Sequence, residues 1–517
     1  MMHIAIVGSG PSAISAAKIL IKKRIKVTII DVGEDLPAEI KKKVEIISRK
    51  SQNDWAASDI RYLSNNYSLK KNNIPKKTIF GSDYFYAAHR EHSKIKLSDV
   101  DAKPTFAKGG YSVAWGAALL PTATCDMREW PFGRNRLAKY YKKVLSSLPL
   151  TGGVDELEKS FPSYKKHLNS LSIAPQFLSM RKKLSGISSA DNKIICGFSR
   201  LAVFTERQKN ACKYCGMCLS GCPYSSIYNF RDEVDSLLKE KNFIYISNAL
   251  VTSYKEEKNK VLLVYYDISK KLYVKKSFSK VFLAAGPINS TKIVLRSNNI
   301  YNTPINFIDS QKFVFPIFSF RKHKIDVRNS NTLCSLFLEL KFGNLSSHWN
   351  HIQISGLNDW VLKKLNFSTS KTFKYLLLSP FLNRVSIGWG GLHSNISSKF
   401  TLKLLDSNMI LLEKLYNKSS KIFIIKLLSF TFLKSFSKGI FFIPIFFMSK
   451  VGGGCHFGGS FPMRKKPKSI FESDILGRPF GHVNVHLIDA TSFPSLPSTT
   501  MALLTMANAA RIADESS

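Results

Sequence analysis

The segment HIAIVGSGPSA, residues 3–13, decides the fold of this chain. It begins as a short apolar run of the kind found in buried strands, and a glycine-rich turn follows at once. In such a strand–turn–helix unit Gly8 permits the tight turn, Gly10 lets the backbone approach a pyrophosphate, and Ala13 allows the helix to pack closely on the strand. The helix start also offers free N–H groups to phosphates. The segment therefore predicts a dinucleotide-binding site.

Both ends of the chain contribute to the same predicted domain. A second apolar run, residues 27–30, ends in Asp31, about 20 residues after the glycines, where an acid binds ribose hydroxyls. Near the other end, residues 483–488 predict a strand that Asp489 follows, and a long helix of small residues comes after a proline-rich turn. A chain of 517 residues is long enough for two domains. We therefore expect one domain to interrupt the other.

The composition argues against a secreted or membrane-spanning protein. The most apolar stretch, residues 439–448, is too short for a membrane span and contains Pro444. The first strand is predicted within two residues of the start, so we expect no signal peptide. A cytoplasmic, reducing location follows, in which the eight cysteines act as thiols or metal ligands rather than disulfides.

The chain is strongly basic, with 76 Lys and Arg against 36 Asp and Glu and a formal net charge of +40. Such a charge predicts attraction to an anionic partner. Residues 414–470 contain eleven Lys or Arg and no acid, and within them residues 421–447 mix bulky apolar side chains with spaced lysines. This pattern is typical of a segment lying on anionic lipid, and equally of an amphipathic core element in a lysine-rich protein. Nucleic acid is a less favoured partner than anionic lipid, because the sequence contains no recognisable nucleic-acid-binding module beside the positive charge.

Four blocks in this order resemble the glucose-methanol-choline (GMC) family of flavin oxidoreductases. They are GSGPSA (8–13), GGYSVAWG (109–116), VFLAAGPINSTKIVLRS (281–297) and the tail after Gly454. The resemblance implies an α/β fold, in which a Rossmann-like FAD-binding domain is interrupted by an α+β substrate domain with an antiparallel sheet. The implied FAD-binding domain comprises residues 1–310 and 451–517, with a cysteine-rich loop at 208–230, and the substrate domain comprises residues 311–450.

The resemblance also implies the residues that hold a non-covalent FAD, since the histidine that carries the flavin in covalent relatives is absent from residues 109–116. The ADP half would contact Gly8, Gly10, Ser12, Ala13 and Asp31, with Val251 near the adenine. Ala285 and Gly286 would support the ADP, and Asp489 would reach the pyrophosphate or ribityl chain. The flavin side would be lined by Gly109, Gly110, Ser112 and Gly116.

The implied chemistry is hydride transfer from an alcohol carbon to the flavin, with a histidine that takes the hydroxyl proton. His456, in GGGCHFGGSFPM, matches the catalytic histidine of the family. The second active-site residue of the family, a His or Asn, aligns with Thr500, which can hydrogen-bond a substrate oxygen but is no base at neutral pH. We therefore assign the base role to His456 alone and a polar partner role to Thr500.

The cysteine run Cys212-x2-Cys215-x2-Cys218-x3-Cys222-Pro reproduces the spacing of bacterial ferredoxins. It predicts one [4Fe–4S] cluster, with the fourth ligand either Cys222 or one of the remote cysteines Cys125, Cys196, Cys334 and Cys455. A four-thiolate zinc site is the competing interpretation, and a metal-free loop is the third.

The sequence thus predicts an FAD-dependent dehydrogenase that oxidises the CH–OH group of a sugar or polyol, with electrons leaving through the cluster. Three partners are expected: an alcohol substrate, an electron acceptor that is a protein or a quinone, and an anionic membrane surface. The positive charge of the chain allows the substrate to be a phosphorylated, nucleotide-linked or lipid-linked sugar. The expected location is the cytoplasm, and the protein could also attach peripherally to the inner face of the membrane. Three alternatives stay open. The first is a flavin and iron–sulfur electron carrier that oxidises no alcohol, and the second is an oxidase with a structural zinc or cysteine loop. The third is a membrane-associated binding protein that keeps the flavin fold without catalysis, which Thr500 at the second catalytic position favours.

Overall fold

The computed structural model describes residues 2–64, 74, 77–87, 92–165, 167–188, 192–206, 208–322, 329–358, 361, 381–415, 417 and 419–517. Parts of the predicted substrate domain, residues 323–328, 359–360, 362–380, 416 and 418, therefore lie outside the described residues.

The helices are α1 (Pro11–Lys22), α2 (Ala38–Ser48), α3 (Ala57–Ser64), α4 (Tyr84–Ala87), α5 (Asn135–Ser146), α6 (Leu157–Ser160), α7 (Pro175–Leu184), α8 (Phe230–Leu237), α9 (Pro287–Ser297), α10 (Ser419–Ser435) and α11 (Ala502–Glu515). The strands are β1 (His3–Val7), β2 (Lys26–Ile30), β3 (Ile95–Ser98), β4 (Asn192–Phe198), β5 (Phe243–Ile246), β6 (Ala249–Glu257), β7 (Lys260–Asp267), β8 (Leu272–Phe278), β9 (Lys280–Leu283), β10 (Ile305–Asp309), β11 (Lys312–Ser319), β12 (Leu336–Phe342), β13 (Asn350–Ser355), β14 (Val385–Gly391), β15 (Lys399–Leu404), β16 (Ile410–Leu415), β17 (Ile440–Phe442), β18 (Phe447–Met448), β19 (Phe457–Gly458) and β20 (Val485–Leu487). No helix among the described residues is both long enough and apolar enough to cross a membrane.

A parallel five-stranded sheet joins the two ends of the chain, in the order β20-β9-β1-β2-β5. Its central strands are apolar on both faces because helices cover them, which explains the unbroken apolar run in β1. The strand predicted at residues 483–488 forms as the shorter β20 and adds the C-terminal tail to the edge of this sheet. This arrangement is the interrupted Rossmann-like domain that the sequence predicts.

Small side chains bring α1 and α11 together over the parallel sheet. Ala13 and Ala17 of α1 are fully buried, as are Ala507 and Ala509 of α11, and all four belong to one core. Alanines allow two helices to pack at close range and lose no side-chain entropy on burial. The C-terminal helix therefore stabilises the helix that begins at the glycine turn.

The interrupting segment forms an antiparallel sheet in the order β17-β11-β14-β13-β12-β4, with β18 also paired to β11. Strand β4 joins this sheet although it lies within the predicted FAD-binding portion, residues 1–310. The reason is its apolar face: Ile194 and Cys196 are buried in the same core as Leu338 and Leu340 of β12. The antiparallel sheet beside the parallel one confirms the predicted fold class.

Two smaller sheets complete the structure. One has the order β19-β10-β15-β16-β3, and the other is the meander β6-β7-β8, whose β6 begins just after the parallel strand β5. Strand β19 immediately follows His456 and pairs with β10, so this sheet fixes the position of the candidate catalytic histidine.

Candidate active site

A cavity of about 700 Å³ lies between the two main sheets. On one side it meets the carboxyl ends of β1, β2 and β9, and on the other it meets β11, β13 and β14. The crevice outside the carboxyl ends of parallel strands is where open α/β sheets bind their ligands. This cavity is therefore the candidate active site.

Two glycine turns form the narrow end of the cavity. Gly8 has a φ of +91°, and a Cβ atom there would lie 2.7 Å from the carbonyl oxygen of Ala284. A Cβ atom at Gly110 would lie 3.1 Å from the Cα atom of Gly10. The absence of side chains exposes backbone N–H groups to a ligand at the start of α1, as a pyrophosphate requires.

Asp31 lies at the end of β2 and faces the same cavity. Its carboxylate accepts hydrogen bonds from the Ser9 hydroxyl and, at 3.2 Å, from the Tyr245 hydroxyl. Ser9 in turn accepts the backbone N–H of Gly109 at 2.9 Å, which connects the two glycine turns. Burial raises the pKa of Asp31 from 3.8 to about 6, and these hydrogen bonds oppose that rise.

Asp489, just after β20, binds the start of α9. Its carboxylate accepts the N–H of Gly286 at 2.9 Å and the hydroxyl of Ser290 at 2.6 Å. Burial raises its pKa, while the bonds from Ser290 and Thr491 lower it. The residue both lines the cavity and joins the C-terminal tail to the nucleotide-binding sheet.

Most of the predicted cofactor residues line the cavity: Gly8, Gly10, Ser12, Asp31, Gly110, Ser112, Gly116, Val251, Ala285, Gly286 and Asp489. The other two, Ala13 and Gly109, lie behind this lining. A Cβ atom at Gly109 would lie 2.5 Å from the backbone nitrogen of Arg231. Ser112 also connects backbone segments, because its hydroxyl donates to the Gly109 carbonyl at 2.6 Å and accepts the Phe230 N–H at 2.9 Å.

The two predicted catalytic residues both line the cavity. The Nδ1 atom of His456 is buried and has no hydrogen-bond partner among the described residues. Burial, then the charges of Lys312 and His351, lower the pKa of His456 well below its ordinary value. Thr500 is nearly buried, and its hydroxyl oxygen accepts the N–H of Leu120 at 3.1 Å, so its own proton remains available to a ligand.

A second histidine, which the sequence analysis missed, enters the cavity from β13. The Nδ1 atom of His351 lies 2.5 Å from Oε1 of Glu339 on the neighbouring strand β12. Its Nε2 atom lies 3.2 Å from the side-chain nitrogen of Gln353, which also lines the cavity. Both Glu339 and His351 are buried. The antiparallel pairing of Glu339 with His351 is a tertiary fact that the local sequence does not show.

A buried lysine is the other group that the sequence analysis missed. Lys312, the first residue of β11, lines the cavity, and burial lowers its pKa to about 8. Asp309 opposes this shift, and burial raises the pKa of Asp309 to about 7. Asp309 also accepts the N–H of Gly452 at 2.7 Å in the loop that leads to His456. The pair therefore places a titratable cation beside the candidate base.

The four cysteines of the predicted cluster lie close together in one loop, and all of them are free thiols. Burial, then the neighbouring Cys218 thiol, raises the pKa of Cys212 to about 11 and also raises that of Cys222. The Cys212 sulfur accepts the N–H of Tyr214 at 3.4 Å, and the Cys222 sulfur accepts the N–H of Ser226 at 3.1 Å. The loop therefore supplies N–H donors to two sulfurs.

This cysteine loop borders the cavity. Leu219, next to Cys218, lines the cavity, as does Lys77. The Lys77 ammonium donates to the carbonyl of Trp115 at 3.0 Å, and burial lowers its pKa to about 8, with Cys218 and Cys222 opposing the shift. Lys77 therefore lies between the predicted flavin-side block, residues 109–116, and the thiols.

Glu129, His348 and His393 form a separate group of potential metal ligands among the described residues. The two imidazoles stack with centroids 3.7 Å apart and planes 7° apart. However, Nδ1 of His393 accepts the N–H of Asn395 at 3.3 Å, so the proton of the neutral ring is on Nε2. With that hydrogen bond kept, Nε2 has no lone pair for a metal, and we assign none.

The parallel sheet with its glycine turns forms a Rossmann-like domain, and the segment with the antiparallel sheet interrupts it. No protein-family model matches the chain, and no curated protein matches its sequence. Among solved structures, the crystal structure of pyridoxine 4-oxidase from Mesorbium loti matches with 12% identity and a TM-score of 0.62, over 100% of this chain and 99% of that one. At this identity the similarity shows the fold, and the activity has to be argued from the site.

Proposed function

We propose that this protein is an FAD-dependent dehydrogenase that oxidises the CH–OH group of a sugar or polyol. The observation that carries the proposal is the position of His456, whose imidazole lines the same cavity as the two glycine turns, while burial lowers its pKa. A neutral imidazole can accept the hydroxyl proton of an alcohol as the alcohol is oxidised. The solved structure with the same fold is that of a pyridoxine 4-oxidase, which supports oxidation as the reaction class.

The residues present fit FAD. The glycine turns at residues 8–10 and 109–110 leave room for a pyrophosphate at the start of α1, and Asp31 offers a carboxylate for the ribose hydroxyls. When bound, FAD would supply a hydride acceptor for the alcohol carbon. The contribution of the protein is to hold the alcohol against that acceptor and to take its proton.

His351 and Thr500 would orient the alcohol beside His456. Glu339 accepts a hydrogen bond from Nδ1–H of His351, which leaves Nε2 of His351 as an acceptor toward Gln353 and the cavity. Thr500 has a hydroxyl proton to donate. In this chain Thr500 occupies the position where the family has a second His or Asn. We propose that His351, on the antiparallel sheet, supplies the second imidazole instead.

Polar groups surround the substrate side of the cavity, which supports a polyhydroxylated substrate. Gln353, Ser355 and Asn358 line it, and the Trp389 indole donates to the Ser355 hydroxyl at 2.9 Å. The Lys312 ammonium would attract an anionic group on the substrate, such as a phosphate. A phosphorylated, nucleotide-linked or lipid-linked sugar is consistent with this arrangement.

The cysteine loop would hold a [4Fe–4S] cluster through Cys212, Cys215, Cys218 and Cys222. A four-thiolate zinc site places sulfurs about 3.8 Å apart, given Zn–S bonds of about 2.3 Å. No three of these sulfurs lie within 4.8 Å of one another, so the loop is wider than zinc requires. N–H donors to sulfur are among the features that tune such clusters. A cluster here would supply one-electron transfer to an acceptor protein or quinone.

The test is anaerobic purification, followed by a visible spectrum, metal and sulfide analysis, and titration with a panel of alcohols. We expect a flavin band that sugars or polyols bleach, with about four irons and four sulfides per chain. A flavin that dithionite bleaches but no alcohol does would favour the electron carrier. Zinc, or no metal, with turnover on oxygen would favour an oxidase with a structural loop.

A further inference from the structure

Helix α10 is apolar on two sides. One side packs on the substrate sheet through core residues that include Phe423 and Leu427. The other side exposes apolar residues, and the helical repeat of 3.6 residues places them in one row: Ile422, Ile425 and Leu433. A surface helix of a globular protein normally has a polar outer side. The outer side of α10 therefore has an apolar composition that its own fold does not need.

The exposed apolar row continues beyond the helix. Leu433 and Ile445 are each 69% exposed, Phe320 is 67% exposed and Phe381 is 64% exposed. We define the basic–apolar face by its exposed apolar residues: Phe320, Phe381, Ile422, Ile425, Leu433, Phe436, Ile445 and Phe447.

Contacts between neighbouring segments bring Phe320, Phe436 and the segment of Phe381 together. Phe320 donates its backbone N–H to Gly439 at 3.1 Å, and its ring lies 4.8 Å from that of Phe441. The Phe436 ring lies 5.4 Å from the same Phe441 ring. The Phe320 carbonyl accepts a hydrogen bond from Arg384 at 3.2 Å, close to Phe381 along the chain. Helix, sheet edge and loop therefore share this surface.

The segments that form this surface carry charges of one sign, and Lys450 pairs with Asp99 at 3.3 Å. Residues 311–322, 381–391 and 419–450 contain no Asp or Glu. Exposed lysines accompany the apolar residues: Lys421, Lys426, Lys434, Lys438 and Lys450. Within the described part of the chain, the first four of these lysines form no ion pair. Their charges are therefore available to an anionic partner.

The end of the face around Phe320 lies away from the cavity, whereas Phe447 pairs with Val314 nearer to it. Lys312, at the start of β11, lines the cavity, whereas Ser319, at its end, adjoins Phe320. Eight residues of strand span roughly 25 Å. Substitutions at the Phe320 end of the face therefore leave the candidate active site in place.

A row of large apolar side chains bordered by lysines, on segments that carry no acid of their own, matches the headgroup region of an anionic bilayer. Apolar rings enter the acyl boundary, and lysines on long stems reach the phosphates. We propose that the basic–apolar face docks this protein on an anionic lipid surface. The inference is independent of the proposed oxidation, because its residues contact neither His456 nor the glycine turns.

Vesicle co-sedimentation of the full-length protein tests it, with phosphatidylglycerol/phosphatidylcholine vesicles compared with pure phosphatidylcholine. We expect binding to the anionic vesicles that weakens as salt is raised. The triple variant Leu433→Ser, Phe436→Ser, Ile445→Ser should lose at least about tenfold in partitioning, given about 25 cal/mol per Å² of apolar surface. The matched control replaces three exposed apolar residues outside the face, Val154→Ser, Tyr273→Ser and Val483→Ser, and should bind as the wild type does.

A second variant, Lys421→Gln, Lys426→Gln, Lys434→Gln, leaves the packing intact and should reduce anionic-vesicle binding by roughly 10²-fold, at about 1 kcal/mol per lysine. Equal binding of both vesicle types, or wild-type binding by both variants, would overturn the proposal. So would sedimentation analysis showing a wild-type dimer that the serine variant converts to monomer without vesicle binding, since the face would then join two copies of the chain.

Discussion

Glu339 and His351 form a buried carboxylate–imidazole pair across two antiparallel strands, with 2.5 Å between Oε1 and Nδ1, and the imidazole faces the cavity. The geometry fixes the tautomer of His351, because a carboxylate that accepts from Nδ1–H leaves Nε2 unprotonated. The pair therefore gives the cavity a second oriented imidazole beside His456.

Replacing Glu339 with Gln should slow reduction of the flavin by alcohol by about 10²-fold while flavin content is unchanged, because the amide no longer fixes the tautomer of His351. Anaerobic stopped-flow measurement of flavin bleaching gives the rate. Glu413→Gln, on strand β16 outside the cavity, is the control and should react as the wild type does. An unchanged rate in Glu339→Gln would remove His351 from the proposed reaction.

Gly8→Ala should reduce the flavin content of the purified protein and lower its stability by about 1–3 kcal/mol. A Cβ atom there meets the Ala284 carbonyl at 2.7 Å in a backbone conformation that favours glycine. The control is Gly133→Ala, where a Cβ atom would meet nothing within 4 Å. Flavin absorbance per chain and thermal melting measure the two effects. Full flavin occupancy in Gly8→Ala would contradict the assignment of the glycine turn at residues 8–10 to pyrophosphate binding.

The pKa of Asp31 predicts how pH acts on the protein without flavin. A carboxyl whose pKa rises from 3.8 to about 6 on folding adds stability below about pH 4, and this stability is lost as pH rises through 6. At about 1.4 kcal/mol per unit, the loss is about 3 kcal/mol. Asp31→Asn should therefore gain stability relative to the wild type between pH 4 and 6, as thermal melting would show. A constant difference across that range would mean that Asp31 does not titrate there.

The same shift predicts the pH dependence of FAD binding. Ribose hydroxyls donate to the ionised carboxylate, so FAD affinity of the wild-type apoprotein should fall as pH drops below about 6. Fluorescence titration with FAD measures the affinity. In Asp31→Asn the FAD affinity should be weaker than that of the wild type at pH 8 and nearly independent of pH. If the affinities of both proteins changed with pH in the same way, a group other than Asp31 would cause the pH dependence.

Cys215→Ser should abolish bound iron and acid-labile sulfide while flavin is retained. Cys196→Ser, a buried thiol in β4 outside the run, should keep the wild-type content of both. Iron and sulfide assays per chain make the comparison. Retention of four irons in Cys215→Ser would show that a remote cysteine, rather than the run itself, completes the site.

The local sequence predicts the nucleotide-binding half of the site well, because each of its features is a pattern of residues close together in the chain. The apolar run of β1, the glycines after it and Asp31 have fixed spacings that the parallel sheet requires. The GMC resemblance extended this to His456 and Thr500, which both reach the cavity.

The local sequence does not predict the substrate side of the site, because contacts between distant parts of the chain form it. His351 and Glu339 meet only through the register of β12 and β13, and Lys312 becomes a cavity residue only because β11 crosses beside the loop that holds His456. Strand β4 pairs with a strand about 140 residues later along the chain, so no local pattern assigns it to the substrate sheet.

The most direct measurement is the rate of anaerobic flavin reduction by the best alcohol of the panel, in the wild type and in His456→Ala. The account predicts that His456→Ala retains the flavin and its absorbance but reduces the rate by about 10²–10⁴-fold, because the imidazole assigned to take the hydroxyl proton is removed and His351 only orients the alcohol. A variant that binds flavin and is reduced as fast as the wild type would contradict the central claim that His456 is the base of an alcohol oxidation.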